Sequence, residues 1–249
     1  MSIIENFIVA SNSSTSLEEL FGHLSTAYLA LGYETACYFL LNDHLSMNRK
    51  AQYGVVSSYS SEWMNYYVER NFPRCDPLLR YCFLMPRAFS WETLLEQKIP
   101  EVGLNFVDDM KYNTHLVDGV GVPIHGPYSE VACFALASTS KINPDANLLS
   151  IIQAVAVQFH ITYGRMGEAA PPILEPLILT EREREILMWS AEGKSVSTIA
   201  EILSTSENTV KYHLKKLYRK FDVGDRLQAV FKAMFLGLID PPNIRRLPG

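Results

Sequence analysis

Apolar and polar positions along this chain follow two different regimes. Up to about residue 163, helical and strand patterns interleave. Leu17–Leu31 carries helical spacing. Thr35–Leu41 and Ala51–Val56, rich in aromatic and β-branched residues, read as strands. Ser60–Asn71 predicts a helix ended near Pro73, and Val102–His115 predicts another. Gly119–Ile124 and Glu130–Ser138 read as a strand pair around Gly126-Pro127. Asp145–Tyr163 predicts a long helix with Leu148, Ile151, Ile152, Val155 and Phe159 on one apolar stripe. Hairpin-like pairing favours an antiparallel sheet over a βαβ repeat. The expected class is therefore α+β, with an N-terminal α-β-α sandwich.

The run Gly167-Glu168-Ala169-Ala170-Pro171-Pro172, followed by Pro176, breaks any helix and reads as a linker over residues 167–176. It divides the chain into domains 1–166 and 177–249. After it the pattern is wholly helical. Thr180-x-x-Glu183 is a capping box that opens a helix with Ile186, Leu187 and Ala191 inward, and Gly193 ends it. Ser195 opens a second helix with Val196, Ile199, Ala200 and Leu203 at i, i+3, i+4 and i+7. Ser206 can cap a third, and Asp225-x-x-Gln228 a fourth that runs to Gly237. Four short helices in this space make a compact bundle.

Composition narrows the class without deciding it. The 249 residues are 48% hydrophobic and 20% charged, which excludes a disordered or rod-like chain. No apolar run is long enough to span a membrane, and Met1–Ala10 lacks the basic flank of a secretory signal. Cys37, Cys75, Cys82 and Cys133 form no close CxxC pair and read as reduced thiols, so a cytoplasmic location is expected. The formal net charge of −5 is unevenly spread. Residues 173–249 hold 12 basic and 10 acidic side chains, so the acidic excess lies in the N-terminal part.

Placement says more than net charge. Lys211, Lys215, Lys216, Arg219 and Lys220 crowd one stretch of the third C-terminal helix. At about 100° per residue, Val210, Leu214, Leu217 and Phe221 fall on one side. Asn208, Lys211, Lys215 and Arg219 fall on the other. Such a helix docks its dry face on a bundle and offers its cationic face to phosphates and base edges. The bland reading, a solubilising surface, fits amphipathicity alone equally well.

A resemblance separates the two. Leu179-Thr180-Glu181-Arg182-Glu183-Arg184-Glu185-Ile186-Leu187-Met188-Trp189 is followed by Ala191–Ser195, Ile199-Ala200, Ser206, Thr209-Val210 and His213. This series closely resembles the C-terminal helix-turn-helix of LuxR-type transcription factors, from Ile178 to Ile239. The resemblance implies sequence-specific binding to double-stranded DNA, as a homodimer on a palindromic operator. It places Lys211 and Lys215 against bases. It places Lys194, Ser195, Ser206, Thr209 and His213 near phosphates. Glu183, Leu187 and Gly193 match positions used structurally.

In the N-terminal half, Tyr59, Trp63 and Tyr67 sit at i, i+4, i+8 on one helix face, followed by Asp76-Pro77, Trp91 and Gly119. Periodicity alone favours core packing. However, buried Tyr and Trp need partners for their polar ends, and a buried carboxylate is costly without one. The spacing resembles the autoinducer-binding domain of quorum-sensing LuxR-type receptors over roughly Leu17 to Tyr163. That resemblance implies an N-acyl-homoserine lactone as ligand. Trp63 would donate to the lactone carbonyl, Asp76 would accept from the amide, and Tyr59 would donate to the acyl carbonyl. Tyr67 and Trp91 would wall the pocket. Ala135 and Leu78 depart from the hydroxyl residues some relatives carry, and Glu92–Asn105 aligns poorly. These departures imply an acyl group with little need for hydrogen bonding at its third carbon.

Nothing points to an enzyme. The six histidines include no HxH or HxxxH pair, and neither a GxSxG elbow nor a GxxxxGK[ST] loop is present. No catalytic residue, metal or cofactor is expected. Gly119-Val120-Gly121 is better explained by strand-edge packing than by dinucleotide binding. A phosphorylation-driven regulator would need an Asp after a strand near residue 55, where Tyr53-Gly54-Val55-Val56 offers none. The expected function is a ligand-responsive transcription factor regulating quorum-sensing genes. The alternative is an orphan regulator of the same build that answers another small molecule or acts without one.

Overall fold

The computed structural model describes residues 2–44, 47–166 and 178–240. The chain divides into two compact units, Met1–Pro172 and Ile173–Gly249. The expected linker at 167–176 lies outside the described residues.

The first unit has a five-stranded sheet at its centre, in the order β2-β1-β5-β4-β3, with every pair antiparallel. The strands are β1 (Thr35–Leu40), β2 (Gln52–Ser57), β3 (Phe89–Ser90), β4 (Asp118–His125) and β5 (Val131–Ser138). Strand alternation makes two cores. Ala36, Tyr38 and Leu40 of β1 join Phe134 and Leu136 of β5 on one face. There they pack under α1 (Ile3–Ser13), α2 (Leu17–Ala30) and α7 (Ala146–Arg165). Cys37, Phe39, Cys133 and Ala137 point to the other face, among residues of α3 (Ser61–Glu69), α4 (Pro77–Cys82), α5 (Trp91–Leu95) and α6 (Glu101–Thr114). The first face carries rings. The second carries mostly small side chains, which leaves room beneath its helices.

The elements expected from patterning are present within a few residues, and four were not foreseen: α1, α4, β3 and α5. Each is short or opened by a cap. Ser2 and Glu5 form a capping box on α1, Asp76 caps α4, and Ser90 caps α5. Ser60 caps α3, so that helix begins at Ser61 and Tyr59 precedes it. The i, i+4, i+8 ladder on one helix is thus corrected: only Trp63 and Tyr67 share α3. The two glycines of β4 serve packing, as expected. A Cβ on Gly119 would lie 2.3 Å from Cε2 of Trp91, and one on Gly121 would lie 2.4 Å from the Phe89 ring. All four cysteines are free, and the Cys82 and Cys133 thiols touch at 2.8 Å in the second core.

The second unit holds α8 (Glu181–Ala191), α9 (Val196–Ile202), α10 (Glu207–Phe221) and α11 (Arg226–Phe235). The capping box at Thr180 is complete: Glu183 N–H donates to Thr180 Oγ1, and Thr180 N–H donates to the Glu183 carboxylate. At α11 only half the reciprocal pattern forms. Gln228 N–H donates to Asp225, but the Gln228 side chain accepts from Gly224 instead.

Candidate functional site

The first unit contains an apolar cavity of about 60 Å³ on the small-residue face of the sheet. One water needs only about 10–15 Å³, so the space exceeds a trapped solvent molecule. Cys37, Phe39 and Ala135 form its floor, and Trp63, Tyr67, Asp76, Leu78, Trp91, Leu94, Phe106 and Met110 close it from the helices. Tyr59 reaches it from the turn before α3. The structure therefore brings together all five side chains singled out in this half: Tyr59, Trp63, Tyr67, Asp76 and Trp91.

The aromatic wall is continuous. Trp63 and Tyr67 lie 6.3 Å apart between ring centroids, Trp63 stacks on Phe72, and Tyr67 meets Phe106 edge-on at 5.8 Å. Asp76 is buried against it and makes no salt bridge with Arg74 among the described residues. Its Oδ1 accepts from Leu78 N–H at 2.8 Å, as the cap of α4, and its Oδ2 accepts from Tyr67 O–H at 2.8 Å. Burial pushes the carboxyl up to about 6, against the pull of Tyr67 and the α4 amides. Burial, the Asp76 charge and its hydrogen bond hold the Tyr67 hydroxyl well above its ordinary value. With Tyr67 and the Leu78 and Leu79 amides served, the carboxylate keeps one lone pair for a further donor. The cavity thus offers one acceptor and several donors inside a dry aromatic box, which suits a small amphipathic amide.

In the second unit the cationic helix is α10, with Val210, Leu214, Leu217 and Phe221 buried and Asn208, Lys211, Lys215 and Arg219 exposed. Lys211 is paired with Glu207 at 3.0 Å, an exposed contact of small worth. Ser206 caps α10, accepting from Thr209 N–H, and Ser195 caps α9, accepting from Thr198 N–H. The Lys194 carbonyl accepts from Arg226 at 2.9 Å, which fixes the turn between α8 and α9. By helical geometry Thr209 and His213 lie on a flank of α10 rather than with Lys211 and Lys215. His213 is half-buried, and its Nδ1 is sealed without a partner among the described residues.

Tyr212 was missed by sequence reasoning. It is 64% exposed and lies between Asn208 and Lys215 on the outward face. Only the helical wheel could have found it, because aromatic residues are ordinarily assigned to a core. The bundle is held by Glu183, whose side chain is buried. It accepts from Lys220 at 2.8 Å and from Thr180 N–H, with Lys216 at 3.5 Å. Burial alone would push its pKa up, but the Lys220 and Thr180 bonds and the charges of Lys220 and Lys216 outweigh that and bring it down to about 2.

Comparison with known proteins agrees with both halves. Residues 16–163 match the autoinducer binding domain, and residues 177–233 match the bacterial regulatory proteins of the luxR family. The chain is 30% identical over 189 residues to the transcriptional activator protein VanR of Vibrio anguillarum, covering 75% of this chain and 78% of that one. It is 30% identical over 185 residues to RpaR of Rhodopseudomonas palustris, a quorum sensing-dependent transcriptional regulator, covering 74% of each. In three dimensions it is similar to SdiA of Escherichia coli, with a TM-score of 0.61 at 22% identity. That match covers 95% of this chain and 97% of the other.

Proposed function

The chain belongs to the luxR family of bacterial regulatory proteins, and on that premise we propose that it is an N-acyl-homoserine-lactone receptor that binds a palindromic operator as a homodimer. The family is one of transcription regulators, not enzymes. The observation that carries the ligand half is the buried Asp76 facing an aromatic box with a lone pair to spare. Asp76 accepts from the ligand amide, Trp63 donates to the lactone carbonyl, and Tyr59 donates to the acyl carbonyl. Tyr67 holds Asp76 and, with Trp91, walls the pocket. The acyl chain runs along Leu78 and Ala135, whose apolar surfaces suit a chain without an oxygen at its third carbon.

For DNA, Lys211 and Lys215 reach base edges in the major groove. Lys194, Ser195, Ser206, Thr209 and His213 hold the backbone. A two-fold operator requires two copies. Leu227 and Phe231, 64% and 61% exposed at i, i+4 on α11, are the apolar surface that suits pairing of the second units. The exposed side of α7 serves the first. Residues 167–176 join the two domains in a cytoplasmic protein. Ligand acts by linkage, raising the population of the folded, dimer-competent state.

The DNA assignment is tested by fluorescence anisotropy of the full chain on a panel of palindromic duplexes, with and without an acyl-homoserine lactone. Lys215→Ala is expected to cost about 1–3 kcal/mol on the preferred site and to relax preference at one base pair. Lys211→Ala is expected to act likewise after losing its Glu207 pair. A loss uniform across all sequences would move these lysines to the phosphate backbone.

A further inference from the structure

Trp91 opens α5 directly after β3, and the structure holds its indole more tightly than a wall residue requires. Ser90 caps α5 by accepting from Thr93 N–H at 3.1 Å, and it pairs with Val120 of β4. The ring packs against Gly119 of β4, where a Cβ would come within 2.3 Å of Cε2, the carbon bonded to the indole nitrogen. The nitrogen edge is therefore fixed by the sheet. Trp91 is only 8% exposed, and its Nε1 is sealed from solvent with no hydrogen-bond partner among the described residues. The same ring borders the cavity that Asp76 and Trp63 line.

We infer that Trp91 is a second indole donor of this pocket and selects ligands by an oxygen acceptor at their lactone end. This rests on the reading of the cavity as an acyl-homoserine-lactone site. A buried N–H with no partner leaves a hydrogen bond unmade, and an arriving oxygen restores it. Bookkeeping of donors points to which oxygen. Tyr67 spends its hydroxyl proton on Asp76, so it offers none to the ligand. Tyr59 serves the acyl carbonyl and Trp63 the lactone carbonyl. That carbonyl has a second lone pair, and the ring oxygen beside it has no other donor. Trp91 serves this end. A cyclopentyl amide, which has the same amide and ring size but neither oxygen, cannot receive the bond.

The test pairs the N-acyl-homoserine lactone with its N-acyl cyclopentyl-amide counterpart on the full chain, measuring Kd for wild type and Trp91→Phe. The expected result is that Trp91→Phe weakens the lactone by about 5- to 100-fold and leaves the cyclopentyl amide nearly unchanged. Equal losses for both ligands would reduce Trp91 to shape, and no loss for either would place its N–H outside the site. Should Trp91→Phe not fold, the wild-type protein answers with its three ¹⁵N-labelled indoles, assigned through Trp63→Phe and Trp189→Phe. The Trp91 N–H resonance is expected to move downfield with the lactone and not with the cyclopentyl amide, and no difference between the two would overturn the inference. Failure of the wild type to bind either compound would instead defeat the lactone reading itself, and this assignment would fall with it.

Discussion

Asp76→Ala is expected to weaken lactone binding by about 1.5–3 kcal/mol, or about 10- to 150-fold in Kd, because the ligand amide loses its only ionised acceptor. Tyr67 O–H and Leu78 N–H lose their partner as well, so the empty domain is also expected to melt lower. Asp76→Asn separates the two effects, since its carbonyl still caps α4 while its amide group opposes the ligand N–H. The carboxyl, pushed up by burial to about 6 from an ordinary 3.8, also sets a pH dependence. The empty folded state holds the proton more tightly than the unfolded chain. The cost of ionising Asp76 is therefore absent below pH 3.8, grows between 3.8 and 6, and is complete above 6. Its full size is about 3 kcal/mol at 1.36 kcal/mol per unit. The ligand amide donates to the ionised form. Lactone affinity is accordingly expected to fall as pH drops through 6, and titration calorimetry from pH 5 to 7 measures it. A flat profile, or one unchanged in Asp76→Asn, would contradict the role.

The second large effect lies in the helical unit. Glu183→Ala is expected to destabilise it by about 1–3 kcal/mol, because the buried carboxylate and its part of the α8 cap are lost while Lys216 and Lys220 keep access to water. For a unit of this size that lowers its melting by at least about 4 °C. The reason is geometric: Glu183 joins the α8 cap to Lys220 and Lys216 on α10, the helix proposed to read DNA. With a folded pKa near 2 against an ordinary 4.5, the carboxylate contributes stability that is complete above pH 4.5. That contribution, about 2–3 kcal/mol, is lost as pH falls toward 2. Calorimetry of the full chain at pH 7 and pH 3.5 checks both statements. An unshifted second transition in Glu183→Ala would refute them.

How legible each part was in the sequence follows from its physics. The two-faced α10 could be read directly, because one helix carries both its buried and its charged residues and the 3.6 period sorts them. The long α7 was legible for the same reason, whereas β4 and β5, buried almost throughout, were legible as apolar runs on either side of Gly126-Pro127. Elements set by a single cap were not: α4 has six residues and β3 has two, too short for any period to register. Their signals were local, Asp76 before Pro77 and Ser90 before Trp91. In the pocket, the residue types were legible but their arrangement was not. Tyr59 belongs to a turn rather than to α3, because Ser60 takes the cap. The Tyr67–Asp76 bond joins residues only nine apart, but it depends on the turn that brings α4 back against α3; the unpartnered Trp91 N–H depends on packing against Gly119 of β4, which no spacing encodes.

The proposed lactone occupies the cavity on the small-residue face of the sheet. The measurement that tests it most directly is extraction and mass spectrometry of the purified full chain, expressed with and without a mixed lactone supply, with soluble yield followed in parallel. The account predicts one lactone retained per chain, with an acyl group unsubstituted at its third carbon, and a yield that rises with supply. A protein that retains no lactone and is equally soluble without it would contradict the account, leaving a DNA-binding regulator whose cavity serves another molecule or none.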